Sequence, residues 1–403
     1  MTREFSNSLN SYLAGNTLVE VTLVSIATTG STIHFTSAPF DINFGGNTFQ
    51  AQGDFLTLSE GQETSELQIH SVNIILSAVD VSNITTFATS NIINKDVESG
   101  EFQDIVYAVS NMQGWRAEQE DEHIVKTAFP AKANGIFGVF DGHGGTFAAK
   151  FLKKHLVKSM KELSSNKSSS ALSSDTFFAE LIKESFLNID RSIFEEAKTN
   201  AQKNAGTTAC VCIYDENKFV TGWAGDSRVV LCRKGRAIPL TTHDHKPNLK
   251  NEKKRIEENG GHVMNGRVNG ILAVSRALGD FNFKDTNKPP NKFLVSASPE
   301  IFEKNRDDVE DEFLILACDG IWDVMSNQEA CTFVRNRIRR KFRGTRNEID
   351  ADHIENVVNQ LLDHCLNLGS KDNMTAMLIV FQNSISLRRK GGGQINSIAC
   401  SIL

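Results

Sequence analysis

The chain has 403 residues, seven cysteines and a formal net charge of −6 at pH 7. This length allows two or three domains with buried cores. The negative charge argues against nucleic acid as a partner, because nucleic-acid-binding surfaces need a basic excess to neutralise phosphates. The cysteines are scattered without any C-x-x-C spacing, which indicates reduced thiols in a cytoplasmic protein. No stretch reaches the ~20 apolar residues of a membrane-spanning helix, and no signal-peptide core is visible at the N-terminus.

The first hundred residues differ in texture from the rest of the chain. They are rich in Thr, Ser and Asn and contain neither Cys nor Trp. Alternating apolar and polar residues near 19–26, 33–35 and 67–76 predict short antiparallel strands. The stretch FTSAPFDINFGGNTFQAQG resembles N-terminal domains of phage tail-assembly proteins. We therefore expect residues 1–100 to form a separate β-rich module of unassigned role, with a boundary near 97–102.

From about residue 107 the pattern becomes a mixture of strands and helices. Strands are predicted at 124–126, 135–140, 207–214, 219–224, 228–232, 312–317 and 374–381. Helices are predicted at 147–163, 176–199, 251–259, 328–340 and 353–368. Two sets of strands with helix pairs between them predict an α+β fold, in which two antiparallel sheets pack face to face and helices flank them.

Acidic residues recur where the predicted strands end. Asp141 and Asp319 each follow a buried strand, and Asp372 precedes another. Asp226 occupies a hairpin turn, and Asp323 lies one helical turn after Asp319. If these ends converge, each carboxylate pair at ~4 Å costs roughly 4 kcal/mol at an effective dielectric of ~20, unless cations or shared protons neutralise it. Oxygen ligands of this kind favour Mg²⁺ or Mn²⁺ over Zn²⁺.

Two further residues fit phosphoester chemistry. Arg116 lies beside the acidic run 118–123, and a guanidinium fork is suited to binding a phosphate group. His143 follows Asp141 in an Asp-Gly-His-Gly-Gly turn, where an imidazole could protonate a departing alkoxide. A pair of hard cations near these groups would activate water and neutralise phosphoryl oxygens.

Eight segments occur in order between residues 107 and 381: MQGWRAEQED, FGVFDGHGG, AGTTACV, GWAGDSRVVL, DHKP, RVNGILAVSRALGD, ACDGIWDVM and SKDNMT. On these segments the chain resembles a metal-dependent Ser/Thr protein phosphatase of the PPM (PP2C) type. The resemblance implies an αββα sandwich over residues 101–383, with two Mg²⁺ or Mn²⁺ ions at one end. It also implies hydrolysis of phosphoserine and phosphothreonine by a metal-activated bridging hydroxide, without a phosphoenzyme intermediate.

The same resemblance assigns the metal ligands. Asp141 would bridge both ions, the Gly142 carbonyl would bind one of them, and Asp319 and Asp372 would hold the other. Glu120 would act through the shell around the metals. Asp226 and Asp323 would match a third, weaker ion site.

The remaining motif residues would serve the substrate. Arg116 would bind the phosphate and His143 would be the general acid. For Asp121 and Asp280 a metal role and a hydrogen-bonding role both stay open. The segment 244–267 corresponds to the family's flap, which helps to choose substrates.

The tail, residues 384–403, is basic and Gly-rich and ends in Cys400-Ser401-Ile402-Leu403. This ending resembles a geranylgeranylation signal on Cys400, the alternative being a chance cysteine. A prenyl chain beside a short basic patch would give two modest membrane signals. We therefore expect a cytoplasmic monomer that acts on phosphorylated proteins and associates peripherally with membranes if Cys400 is modified.

Two other hypotheses remain at this point. The second module could be a non-catalytic scaffold or sensor with the same fold, but the complete acidic set argues against this. The first hundred residues could be a virion-structural assembly domain fused to it. Metal-dependent turnover distinguishes an enzyme from a scaffold.

Overall fold

The computed structural model describes residues 87–129, 133–168, 172, 174–197, 204–341, 349–384 and 387, and the backbone of seven short strands between residues 23 and 76. The chain divides into two compact units, Met1–Thr85 and Thr86–Leu403. The expectation for Cys400 lies outside the described residues. In the described part of the chain, no helix combines the length and the apolar character that a membrane crossing requires.

The N-terminal unit contains two small antiparallel sheets. One has four strands that pair in the order β1 (Leu23–Thr29), β2 (Thr32–Ser37), β5 (Asp54–Glu60) and β6 (Leu67–Ile69). The other has three strands in the order β3 (Phe40–Phe44), β4 (Asn47–Gln52) and β7 (Ile75–Leu76). Short antiparallel strands are what the alternating sequence pattern predicts here.

The second unit is built on two larger antiparallel sheets. The six-stranded sheet has the order β17 (Arg236–Pro239), β16 (Arg228–Arg233), β22 (Asp311–Ala317), β23 (Met374–Phe381), β9 (Ile105–Arg116) and β8 (Phe87–Phe102). The five-stranded sheet has the order β10 (Glu122–Lys126), β11 (Gly135–Phe140), β14 (Ala209–Tyr214), β15 (Lys218–Ala224) and β21 (Glu300–Asn305).

The two sheets pack face to face, and helices cover their outer faces. In β22, Leu314 and Leu316 join a core with Phe137 of the other sheet, whereas Phe313 and Ile315 pack against helices. Both faces are therefore buried, which explains the unbroken apolar run of this strand. The prediction of an αββα sandwich is confirmed.

Two pairs of long helices form the outer layers. Helices α1 (Phe147–Ser165) and α2 (Phe177–Ala197) cover the five-stranded sheet. Helices α5 (Asn327–Lys341) and α6 (Ala351–Asn367) cover the six-stranded sheet. Between them in the chain lie α3 (Lys250–Glu258) and the single turn α4 (Asp319–Trp322).

Smaller elements join these layers. A three-stranded sheet consists of β12 (Gly142–His143), β13 (Gly206–Thr207) and β20 (Leu278–Gly279). Strands β18 (Val263–Met264) and β19 (Arg267–Val268) form a separate hairpin, and Phe281–Phe283 and Pro290–Lys292 are 3₁₀ turns.

In the two larger sheets, four strands were not predicted from the sequence: β8, β9, β17 and β21. The boundary expected near residue 100 falls inside β8, which pairs along β9. Strand β8 is an edge strand rich in Asn, Ser and charged residues, so it lacks the apolar alternation that marks a half-buried strand.

Candidate metal centre

Four chain segments bring acidic side chains to one edge of the sandwich. Asp141 follows β11, Asp319 follows β22, Asp226 lies in the turn between β15 and β16, and Asp372 precedes β23. The carboxylates of Asp141, Asp226 and Asp319 lie within 4.8 Å of one another. Asp226, expected at a weaker third site, thus shares one cluster with two of the main predicted ligands.

The electrostatics of this cluster are those of closely spaced anions. Burial and the neighbouring Asp319 carboxylate hold the pKa of Asp141 well above its usual range. Burial and Asp226 do the same for the pKa of Asp319. Burial also raises the pKa of Asp372 and that of Asp323. Bound cations would reverse this destabilisation.

A second group combines Asp121, Asp141 and Cys318. Asp121 accepts a hydrogen bond from the Thr375 hydroxyl at 2.7 Å, and burial raises the pKa of its carboxyl to about 7. Burial raises the pKa of the Cys318 thiol well above its usual value, so the sulfur is a neutral thiol that accepts the Thr375 N–H. The oxygen atoms of this group are therefore the candidate ligands.

Arg116, the predicted phosphate ligand, lies at the end of β9 and reaches the same cluster. Its Nη2 lies 2.5 Å from Oδ2 of Asp372. Burial lowers the pKa of Arg116, but the charges of Asp372 and Asp141 outweigh burial and raise it. The guanidinium is thus fixed as a cation at the edge of the carboxylate cluster.

The Asp-Gly-His-Gly-Gly turn is closed by Glu120. The Glu120 carboxylate accepts the Gly145 N–H at 2.6 Å, and burial raises the pKa of this carboxyl. The Glu120 carbonyl also lies so close to Gly142 that a Cβ at position 142 would overlap it. Glu120 therefore holds the turn that carries Asp141 and His143, and Gly142 is required for the close approach.

Asn373 connects the two chain segments that bear Arg116 and Asp372. Its side-chain amide donates to the carbonyls of Gln113 and Glu118, at 2.8 and 2.9 Å, and its Oδ1 accepts the Glu120 N–H at 2.9 Å. Buried donors and acceptors are thus satisfied by one side chain. Asn373 was not predicted as a site residue, although it directly follows Asp372 in the SKDNMT segment.

The DHKP segment holds the turn that contains Asp226. Lys246 forms an ion pair with Asp226; burial lowers the pKa of Lys246, but the Asp226 charge outweighs burial and raises it. Asp244 accepts two hydrogen bonds from Arg228, at 2.7 and 2.6 Å. Lys246 thus contacts Asp226 directly, and the Arg228–Asp244 bonds tie the strand that follows the turn to the same DHKP segment.

His143 pairs with Asp280, whose role the sequence left open. The distance from His143 Nε2 to Asp280 Oδ2 is 2.8 Å. Burial lowers the pKa of His143, but the Asp280 carboxylate outweighs burial and raises it. Asp280 therefore keeps a proton on an imidazole that lies two residues from Asp141.

A third group contains His243, His245 and Glu300. The buried His245 ring accepts the Gly225 N–H through Nδ1, at 3.1 Å. In the neutral ring the proton then resides on Nε2, which leaves no lone pair there for a metal. This histidine instead supports the turn that precedes Asp226.

Comparison with known proteins places these features in one family. The family model "Protein phosphatase 2C" matches residues 105–374. The chain is 40% identical over 297 residues to human "Protein phosphatase 1A", covering 72% of this chain and 75% of that protein. It is 41% identical over 288 residues to mouse "Protein phosphatase 1B", covering 69% and 70%. The crystal structure of a phosphatase from a pathogenic strain of Toxoplasma gondii superposes with a TM-score of 0.60 at 26% identity, covering 72% of this chain and 96% of that one.

The chain belongs to the protein phosphatase 2C family. Membership confirms the predictions of a PPM-type domain and of a Ser/Thr protein phosphatase, and metal dependence is general in this family. The described geometry brings the predicted protein phosphatase 2C residues to one edge of the sandwich. Asp141, Asp226 and Asp319 form its centre, with Arg116 and Asp372 paired beside them. Asp323 is exposed one turn after Asp319.

Proposed function

We propose that this chain hydrolyses phosphoserine and phosphothreonine in proteins at a centre that holds two Mg²⁺ or Mn²⁺ ions. The observation that carries this proposal is the convergence of Asp141, Asp226 and Asp319 within 4.8 Å, beside a fixed guanidinium. Carboxylates provide ligands for hard cations, and Arg116 provides a fork for a phosphoryl group.

The charge balance of the site fits bound cations. Six carboxylates gather near its centre, and their partners among the described cations are chiefly Arg116 and Lys246. They are Asp121, Asp141, Asp226, Asp319, Asp323 and Asp372. All except Asp323 are buried or half-buried. An excess of anions removed from water is costly without neutralisation, so two divalent ions would suit this donor set.

The ligands would be divided among the ions as follows. Asp141, the Gly142 carbonyl, Asp319 and Asp372 would hold the two main ions. Asp226 and Asp323 would serve a third, weaker ion. When bound, these ions would supply Lewis-acid activation of water and neutralisation of phosphoryl charge.

The chain's own residues would handle the substrate and the proton. Arg116 would donate hydrogen bonds to two phosphoryl oxygens of the substrate, after its ion pair with Asp372 has broken. Asp280 would hold the proton on Nε2 of the His143 imidazolium. The second ring proton, on Nδ1, would pass to the departing Ser or Thr oxygen, because an alkoxide leaves poorly without protonation. Glu120 would keep the turn beneath His143 closed through its bond to Gly145.

The decisive experiment is phosphate release from a phosphothreonine peptide and from p-nitrophenyl phosphate. We expect activity that requires Mg²⁺ or Mn²⁺, that is abolished by EDTA, and that is lost in Asp319→Ala. Asp311→Asn, at the opposite end of the same strand, serves as the control and should retain activity. Metal-independent turnover, or an active Asp319→Ala variant, would refute the proposed metal centre. The absence of any metal-dependent turnover would favour a scaffold.

The prenylation, membrane and monomer expectations stay predictions. Mass spectrometry of the protein from a eukaryotic host would detect a prenyl group on Cys400, and light scattering would give the oligomeric state. Loss of membrane association in Cys400→Ser would support a peripheral location. Unmodified Cys400 would restrict the proposal to a cytoplasmic enzyme.

A further inference from the structure

The His143–Asp280 pair lies on the small sheet formed by β12, β13 and β20. His143 is paired with Gly206, and Gly206 with Gly279, so three chain segments meet at this point. A Cβ at Gly206 would overlap both the Asp280 carboxylate and the His143 ring. The geometry of the pair therefore depends on how tightly β20 and the residues after it are held.

Asp280 itself occupies an unusual backbone conformation. Its φ is +54°, in the left-handed region, and the preceding Gly279 has φ +82°. A non-glycine residue in this region is disfavoured and persists only where surrounding contacts hold it. The Asp280 N–H donates to the Ala205 carbonyl at 3.2 Å, which is one such contact.

A buried ion pair between Asp190 of α2 and Lys284, which follows the 3₁₀ turn Phe281–Phe283, supplies the others. Oδ1 of Asp190 accepts the Gly279 N–H at 2.9 Å and the Lys284 ammonium at 2.6 Å. Lys284 also donates to the Ala277 carbonyl at 3.0 Å. The Lys284 side chain is 0% exposed and that of Asp190 is 7% exposed, so the pair is shielded from water.

These contacts bracket Asp280 in the chain. Asp190 binds the backbone of Gly279, the residue before Asp280. Lys284, four residues after Asp280, binds the carbonyl of Ala277, three residues before it. A buried ion pair adds little net stability compared with an apolar pair, but it fixes the geometry of the groups that it contacts. The anchor thus constrains the turn that presents the Asp280 carboxylate to His143.

We infer that Asp190 and Lys284 are positioning residues that hold Asp280 in hydrogen-bonding geometry with the proton-donating His143. This inference rests on the proposed function. It concerns proton delivery to the leaving group, and so it predicts a defect that depends on the leaving group. Phosphate binding by Arg116 and metal binding by the carboxylates are not involved.

The experiment compares two substrates in Asp190→Ala. With a phosphothreonine peptide, whose alkoxide needs a proton, kcat should fall about tenfold, a part of the ~10²–10⁴ that a general acid contributes. With p-nitrophenyl phosphate, whose leaving group departs unprotonated, kcat should change by less than about twofold. KM should be unchanged for both. Asp190→Asn retains an acceptor for the Gly279 N–H and should recover most of the peptide activity.

The control is Asp311→Asn, which disrupts a buried ion pair with Arg233 remote from the site. It should leave the ratio of the two activities unchanged. If Asp190→Ala does not fold, Lys284→Met removes the same anchor from the other side. Equal losses on both substrates, or no loss on the peptide, would overturn the inference.

A second measurement is independent of turnover. In metal-free protein, the imidazole ¹⁵N resonances of His143 should shift or broaden in Asp190→Ala and stay unchanged in Asp311→Asn. A wild-type protein that turns over neither substrate would refute the proposed function. The imidazole spectra would then still test whether Asp190 and Lys284 position Asp280 against His143. Unchanged His143 spectra in Asp190→Ala would overturn the inference that Asp190 and Lys284 are positioning residues.

Discussion

Nη2 of Arg116 lies 2.5 Å from Oδ2 of Asp372, so the predicted phosphate ligand and a predicted metal ligand neutralise each other. The two segments that carry them lie 256 residues apart in the chain. Binding of cations and of a phosphoryl group would replace this ion pair with two separate interactions. The pair therefore keeps both side chains oriented towards the site before either ligand arrives.

Substitution of Arg116 tests its role as the phosphate fork. We expect Arg116→Lys to raise KM for a phosphopeptide and the inhibition constant of inorganic phosphate about tenfold, because an ammonium cannot make two parallel hydrogen bonds. Steady-state kinetics with phosphate as a competitor would measure both. Arg233→Lys, which alters a similar pair with Asp311, should leave both constants unchanged. An unaltered phosphate inhibition constant in Arg116→Lys would rule out the fork.

Neutralising Asp319 should increase the stability of the metal-free protein and abolish metal-dependent activity. In the metal-free protein this half-buried carboxylate is partly desolvated and faces Asp226 and Asp372, which raises the free energy of the folded state. Asp319→Asn should therefore increase the free energy of unfolding by about 1 kcal/mol or more in EDTA, while metal-dependent turnover is lost. Urea unfolding and phosphate release measure the two effects. A less stable Asn variant would mean that the carboxylates do not repel one another.

The same cluster sets the direction of the pH dependence. A carboxyl whose pKa is raised on folding binds more protons in the folded than in the unfolded chain, so stability falls as pH rises from the unfolded value, about 4, to the folded value. The pKa of Asp121 is raised to about 7 by burial, and those of Asp141 and Asp319 are well above their usual value. The raised pKa of His143 acts in the same direction.

We therefore expect the metal-free protein to be more stable at about pH 6.5 than at about pH 8.5. This window lies above most of the titration of His123 and His245, whose pKa values burial lowers. Saturating Mg²⁺ should flatten the dependence, since the ions replace the protons. Asp319→Asn should also have a shallower slope. Stability that increases with pH in EDTA would contradict the prediction.

Gly206 should tolerate no side chain. Gly206→Ala would push a methyl group into the Asp280 carboxylate and the His143 ring, so we expect a loss of peptide turnover of about tenfold or more. The matched control is Gly260→Ala, where φ is +94° and no atom lies within 4 Å of the added methyl. That variant should lose about 1 kcal/mol of stability through backbone strain alone. Equal turnover in both variants would show that the crowding at Gly206 is relieved.

The position of the domain boundary can be tested by truncation. A chain that starts at Thr86 keeps β8, whereas one that starts at residue 103 loses it. Strand β8 contributes Lys95 to Asp363 and Ser99 to Glu355 of α6, besides its pairing with β9. We expect the longer chain to retain turnover and the shorter one to unfold at lower temperature, as followed by circular dichroism. Identical unfolding temperatures for the two chains would show that β8 does not stabilise the second unit.

The sequence predicted the apolar strands and the amphipathic helices well, since their burial creates a clear periodicity. Strand β11 was predicted with its observed bounds, and α6 was displaced by only a residue or two. Strand β8 was missed because its polar edge carries no such pattern. At the site, the sequence identified the acidic residues at the strand ends, but it did not give the distances between their carboxylates.

Partners at the site were harder to predict than ligands. Asp280 and Asn373 act through contacts with residues far away in sequence, and Asp190 lies in a helix whose pattern indicates only packing. Nothing local distinguishes a helical aspartate that anchors a distant turn from one that faces solvent. Such roles emerge only when the tertiary structure places donor and acceptor together.

Strand β23 lies between β9 and β22, and the residues just before it, Asp372 and Asn373, complete the site. On the ribosome, Asp141 and His143 emerge long before these residues. A nascent chain should therefore be unable to dephosphorylate anything until synthesis has passed residue 381. Termination before residue 381 would therefore release a fragment without a complete site, and such a fragment should be inactive.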